Sequence, residues 1–226
     1  MNVIVIIISV NGSTIYSMYV NLARIPLVTT SLIIINIIIL VAGLLSGSQL
    51  QIIRNYGFIP NNLFHINNNN LLSDVLTRLF TSMFIHSGIA HLVFNILALA
   101  YLGGYAERSV GIPRYVLIYV LAGIAGALFH SVIASYVLGS GHLILIGASG
   151  AISGVLGIAA AAGNTRAYYW LILQIVFAVF GSIASIPIAF TAHIGGFIAG
   201  TFLTKLFVGI ERKKRGEYLG KKNYDT

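Results

Sequence analysis

The chain has 226 residues, of which 58% are hydrophobic and only 8% are Asp, Glu, Lys or Arg. A soluble domain carries about 25% charged residues; so few charges could not cover a water-facing surface, and the bilayer is therefore the solvent for most of this chain. The net charge of +8 comes with no cysteine, which excludes a disulfide scaffold, a thiol nucleophile and a thiolate metal site.

In chain order, Met1 to Val10 is an apolar start without a basic flank or a convincing cleavage site, open between a weak extra span, a signal-like segment and a greasy end. Crossing ~30 Å of hydrocarbon takes about 20 mostly apolar residues. The first stretch of that kind is Leu27 to Leu45. A long loop from Ser46 to His86 follows, with an Asn tract at Asn67 to Asn70 and then the apolar pairs Leu71/Leu72, Val75/Leu76, Leu79/Phe80 and Met83/Phe84. That recurrence predicts an amphipathic helix, half-sunk in the membrane interface or packed on the bundle. Further spans are Ile89 to Tyr105, Arg114 to Val137, a weaker one from Gly147 to Ala162, then Ala167 to Ile183 and Pro187 to Val208. The expectation is an all-α polytopic membrane protein: an N-terminal segment over 1–26, a six-helix membrane domain over 27–208 and a basic tail over 209–226.

Six of the thirteen basic residues (Arg212, Lys213, Lys214, Arg215, Lys221 and Lys222) follow directly after the last apolar run. That is the pattern of a cytoplasmic membrane flank, not of a nucleic-acid groove. With both termini inside, the inner side also holds Arg24, Arg108, Arg114, Arg166 and Lys205, against only Arg54 and Arg78 outside. Eleven basic residues against two predict that both termini are cytoplasmic.

Polar residues at depth carry the functional information in such a chain. Four stand out: His91 and Asn95, four apart on one face of the second span, Ser149 at the start of the fourth and His193 near the start of the sixth. In the expected topology all four reach similar depths in the outer half of the bilayer. Gly147, Gly150, Gly154 and Gly157 form a stripe without side chains on the fourth span, and Ala192, Gly196 and Gly200 a small-residue ridge on the sixth. Close approach of these ridges would bring the Ser149 hydroxyl and the His193 imidazole within the ~3 Å that a nucleophile and its base need. Serines in membrane helices commonly bond their own backbone, and Ser135, Ser153, Ser182, Ser185 and His130 read as packing groups of that kind.

The strings TSMFIHSGIAHLVFN (Thr81 to Asn95), YLGGYAER (Tyr101 to Arg108), GASGAISGVLG (Gly147 to Gly157) and AHIGGFIAG (Ala192 to Gly200) resemble the rhomboid intramembrane serine proteases. NYGFIPN (Asn55 to Asn61) is similar to bacterial-type members. The resemblance implies Ser149 as nucleophile and His193 as general base and acid. It implies an oxyanion site of His91, Asn95 and the Ser149 backbone N–H, shaped by Gly147. His86, Arg78, Glu107, Arg108, Gly150, Gly196 and Gly200 would be structural. Two positions depart from the family pattern: Ser153 stands where an aromatic ring is frequent, and Thr77 where some members have tryptophan.

The implied chemistry is hydrolysis of peptide bonds in or near transmembrane segments of other membrane proteins by a Ser/His dyad, through an acyl-enzyme, in a site opening toward the outer side of the cell membrane. No Asp or Glu lies near His193 in any span, and an ionised carboxylate at that depth would be costly. Nothing in the sequence calls for a metal, nucleotide or redox cofactor, or for a nucleic-acid partner. The absence of HExxH excludes a zinc protease of that type, and the absence of paired membrane aspartates an aspartyl one. A rhomboid-like protein that binds client helices without cutting them, and a small transporter, are the alternatives; the oligomeric state and the natural substrate stay open.

Overall fold

The computed structural model describes residues 3–10, 13–21, 26–183 and 189–222. Eight α-helices lie among the described residues: α1 Leu27–Leu45, α2 Gln49–Tyr56, α3 Asn69–Thr81, α4 Ile89–Val110, α5 Ile112–Tyr136, α6 Ser149–Ala161, α7 Arg166–Ile183 and α8 Phe190–Lys222. Four segments are long and apolar enough to cross a membrane, namely α1, α4, α5 and the Phe190–Val208 part of α8, while α6 is shorter. The chain is an all-α integral membrane protein over this region. Helix α8 runs on through Lys222, so much of the basic tail continues the last helix instead of following it.

The N-terminal segment holds two strands over its described residues. Strand β1 (Val3–Val10) pairs antiparallel with β2 (Ser13–Asn21) in a register that sets Val3 opposite Asn21 and slips between Ile8 and Ser9. Val, Ile, Thr and Tyr dominate both strands, and these residues suit a pleated surface. Asn11 and Gly12 stand between the strands, the strongest short-range hairpin signal a sequence can carry.

Helices α5, α6 and α8 form the centre. Lipid tails are as apolar as leucine, so membrane helices associate through close packing, which small residues permit. A β-carbon on Gly196 would collide with the Gly150 carbonyl oxygen, and one on Gly200 with that of Gly154. On the other flank, a β-carbon on Gly126 would lie 2.5 Å from the Ala192 carbonyl oxygen. Beneath these contacts Tyr115, Ile118, Tyr119, Ala151, Ile152, Val155 and Ile158 fill a buried apolar cluster with Leu99 of α4.

Helix α1 is fastened from a distance. Its first turn has Pro26 at the N-cap and no side-chain cap of its own, which leaves backbone N–H groups unsatisfied. Glu107, near the end of α4 and only 3% exposed, accepts from Val28 N (3.2 Å), Thr29 N (2.9 Å) and Thr29 Oγ1 (2.8 Å). The Tyr115 and Thr29 hydroxyls are 3.2 Å apart beside it. A carboxylate at a helix N-terminus is favoured by the backbone dipoles as well as by the hydrogen bonds.

The segment between α1 and α4 is ordered by a few polar anchors. Arg78 of α3 donates to Asp74 one turn before it (2.7 Å) and to the carbonyls of Arg54 (2.7 Å) and Gly57 (3.1 Å). Each apolar pair on α3 splits: Val75 and Leu79 are buried, whereas Leu76 and Phe80 are exposed. Phe58 exchanges both backbone hydrogen bonds with Leu145 (3.0 and 2.7 Å), and Asn61 N donates to Gly141 O (2.9 Å). The loop thereby holds the non-helical stretch that leads into α6.

Candidate active site

Gly147 ends that stretch. Its φ of +118° is a conformation that L side chains rarely adopt, and its N–H donates to Ser82 O (2.9 Å). The reversal lets α6 start at once, so that Ser149 is its first residue. The helical ladder begins with Ile152 N donating to Ala148 O (2.9 Å). The N–H groups of Ser149 and Gly150 therefore have no acceptor inside their own helix, and they lie next to the serine side chain.

Ser149 Oγ is 2.7 Å from His193 Nε2, across 44 residues of sequence. His193 sits one turn into α8, where the contacts of Gly196 with Gly150 bring the two backbones together. The other ring nitrogen, Nδ1, is 2.7 Å from Gln174 Oε1 of α7. An amide oxygen can only accept, so this contact calls for the proton on Nδ1, which would make Nε2 the acceptor for the serine hydroxyl. Trp170, one turn before Gln174, lays its ring near the same imidazole, with centroids 6.0 Å apart. Phe190 meets it edge-on at 6.1 Å. Ser153 does not reach it; its hydroxyl donates back to Ser149 O (2.6 Å).

His91 approaches from α4. A β-carbon on Gly147 would sit 2.7 Å from His91 Nε2, so the imidazole lies directly over the glycine. Ser87 N donates to His91 Nδ1 (3.4 Å), with the Ser87 hydroxyl 3.2 Å away. That leaves the proton on Nε2, on the side facing Gly147. Asn95 is drawn back into its own helix, where Nδ2 donates to His91 O (2.8 Å). His86, outside the spans, is fully buried with its ring 5.0 Å from that of His91. Burial, with His91 adding to it, pushes the His86 imidazole down to about 4, so it is neutral at physiological pH. Its carbonyl accepts from Gln49 Nε2 of α2 (2.6 Å).

Thus Ser149, His193, His91, Gly147 and Gly150 converge, with His86 and Asn95 adjoining. Arg78 and Glu107 act elsewhere, at the loop and at the α1 N-terminus. Arg108 lies along its own helix, 3.6 Å from a β-carbon placed on Gly104. His130, read from sequence as a packing residue, bonds the Thr191 hydroxyl through Nδ1 (2.6 Å). Gln174 escaped the sequence reading. Its signal was an amide inside an apolar span, four residues after the single tryptophan, where an unpartnered polar group would be costly. Among the described residues no three His, Asp or Glu side chains cluster as metal ligands. Asp74 and Glu107 are committed to Arg78 and α1, and the acceptor that faces His193 Nδ1 is the Gln174 amide.

The Rhomboid domain family model matches residues 73–210. Rhomboid protease GluP of Bacillus subtilis (strain 168) is 38% identical over 133 residues, which are 55% of this chain and 25% of that protein. Putative rhomboid protease YdcA of the same organism is 30% identical over 154 residues, 61% of this chain and 69% of its own length. Inactive RHOMBOID-like protein 8 of Arabidopsis thaliana is 37% identical over 130 residues, 54% of this chain and 35% of that protein. The chain thus spans a quarter of GluP and about a third of the plant protein.

Proposed function

Because this chain belongs to the Rhomboid family, we propose that it is an intramembrane serine endopeptidase that cuts other membrane proteins in or near their transmembrane segments. The observation that carries this reading is the 2.7 Å approach of Ser149 Oγ to His193 Nε2. In the first step Ser149 Oγ attacks the scissile carbonyl carbon while its proton passes to His193 Nε2. The carbonyl oxygen becomes an oxyanion, and the donors near it are the Ser149 N–H and His91 Nε2–H. Such groups act because they are oriented before the charge develops, and losing one typically costs about 2.7–4 kcal/mol of transition-state stabilisation. Collapse of the intermediate breaks the C–N bond, and the leaving amine takes the proton from His193. Water then attacks the Ser149 ester with His193 again as base, which releases the acid and restores the serine.

A substrate helix has its own carbonyls internally bonded, so the segment cut would carry small or helix-breaking residues that let it unwind near the serine. The working unit would be residues 27–208, with six spans, its two ends on the cytoplasmic side and the serine near the outer surface. The reading that the chain binds client helices without cutting them has in its favour the relative named as inactive. One experiment separates the two. Purified protein reconstituted with a reporter transmembrane substrate is expected to cleave it, whereas Ser149→Ala and His193→Ala leave it whole. A fluorophosphonate is expected to label Ser149 in the wild type alone. Binding without cleavage, and no label on Ser149, would overturn the protease reading.

A further inference from the structure

We infer that Gln174 is a positioning residue for His193, so that the catalytic unit is a chain of three groups, Gln174, His193 and Ser149, built from α7, α8 and α6. This rests on the reading of Ser149 and His193 as the reacting pair. Neutral imidazole exists in two tautomers, and only the one with its proton on Nδ1 can take a proton from serine at Nε2. A free ring exchanges between them; a ring whose Nδ1 meets an acceptor does not. Gln174 Oε1, 2.7 Å from Nδ1, is that acceptor. It is an uncharged one, which a membrane interior tolerates where a carboxylate would need a counter-charge.

Three further observations support the assignment. Gln174 is 7% exposed, although its neighbours Leu173 and Ile175 on α7 face outward. Trp170 stands one turn before it and brings its ring to the same imidazole, so a single face of α7 supplies both an acceptor and an aromatic wall. Ser153, the residue of α6 one turn after the serine, is bonded to Ser149 O and gives the imidazole no support. The orientation of His193 is therefore decided from α7 and by Phe190 of its own helix. Among the described residues, the titratable groups on other elements whose charge would act on the ring are His91 of α4 and His130 of α5; their Nδ1 atoms are engaged by Ser87 and Thr191, and neither is the partner of His193 Nδ1.

The test compares Gln174→Met, which keeps length and volume but has no strong acceptor, with Gln174→Glu, whose carboxyl, uncharged at this depth, keeps a carbonyl acceptor at the same reach. Gln174→Met is expected to lower kcat on the reporter substrate about tenfold or more, with KM within about twofold, the range set by the loss of one hydrogen bond that fixes a tautomer. Fluorophosphonate labelling of Ser149 should slow by a similar factor, and Gln174→Glu should recover most of the loss. In the wild-type protein, nitrogen NMR of the His193 ring should show Nδ1 protonated and Nε2 as an acceptor, a reading that needs no variant to fold. Wild-type kcat in Gln174→Met, or a protonated Nε2 in the resting wild type, would overturn the inference while leaving the dyad intact. A wild type that neither cleaves nor takes the label would overturn the dyad, and this inference with it.

Discussion

Gly147 carries two demands at once. Its φ is positive, and its missing side chain is the space into which His91 Nε2 points. Alanine there would strain the backbone, at a cost of order 1–3 kcal/mol, and would press a methyl group against the imidazole proposed as an oxyanion donor. Gly147→Ala is expected to leave a folded protein whose cleavage rate falls about a hundredfold or more, in line with loss of one oxyanion donor. Cleavage of the reporter substrate beside a thermal unfolding curve measures both effects. Asn95 is a different case, because one of its amide N–H groups is engaged by His91 O in the resting state. The spacing of His91 and Asn95 assigns them to one face, but spacing alone does not say which donor points at the serine. Each residue's own hydrogen bonds distinguish the two: Ser87 N donates to His91 Nδ1, which leaves Nε2 facing Gly147, while Asn95 Nδ2 donates to His91 O of its own helix.

Among the elements, α1 has the simplest dependence. It is strongly apolar, with many of its large side chains exposed, and its first turn relies on Glu107 for its N–H groups. Glu107→Ala would leave Val28 N and Thr29 N without their acceptor, at about 1–3 kcal/mol for each buried group. The expected result is a fall in thermal stability in detergent, with Ser149 still labelled by fluorophosphonate at the wild-type rate below the transition. A loss of labelling without a loss of stability would show that Glu107 acts on the site and not on α1. The same scale exposes what pattern reading misses. The spans at α1, α4 and α5 are legible because length and apolarity define them. The pairing of β1 with β2 is signalled by an Asn-Gly pair between β-branched runs, which hydropathy does not register. Helix α2 in the long loop has no apolar stripe long enough to announce it.

Over the whole molecule, α8 meets α5 and α6 through glycines and alanines, so its place in the bundle is set by backbone proximity, while large side chains fill the space between α4, α5 and α6. The proposed orientation in the membrane rests instead on charge, and the chain's lack of cysteine makes it directly measurable. A single cysteine introduced at Asn70 is expected to react with a membrane-impermeant maleimide in intact cells. One introduced at Lys214 is expected to react only after the membrane is opened. The reverse pattern would invert the proposed topology and move the serine to the cytoplasmic side.

Composition alone established that the bilayer is the solvent and where the long apolar helices run, because a spanning helix must be apolar along its length whatever it packs against. The residue types able to do acyl-transfer chemistry were also visible, since histidines within apolar spans are few and Ser149 alone among the serines stands inside the Gly147–Gly150 glycine pattern. Only the tertiary structure decided which of them meet: Ser149 with His193 across 44 residues, Nδ1 with an amide on α7, and Glu107 with the start of α1, 78 residues away. Those contacts arise where glycine faces let helices close on one another, and a distance between two helices is a property of their packing that no single segment encodes.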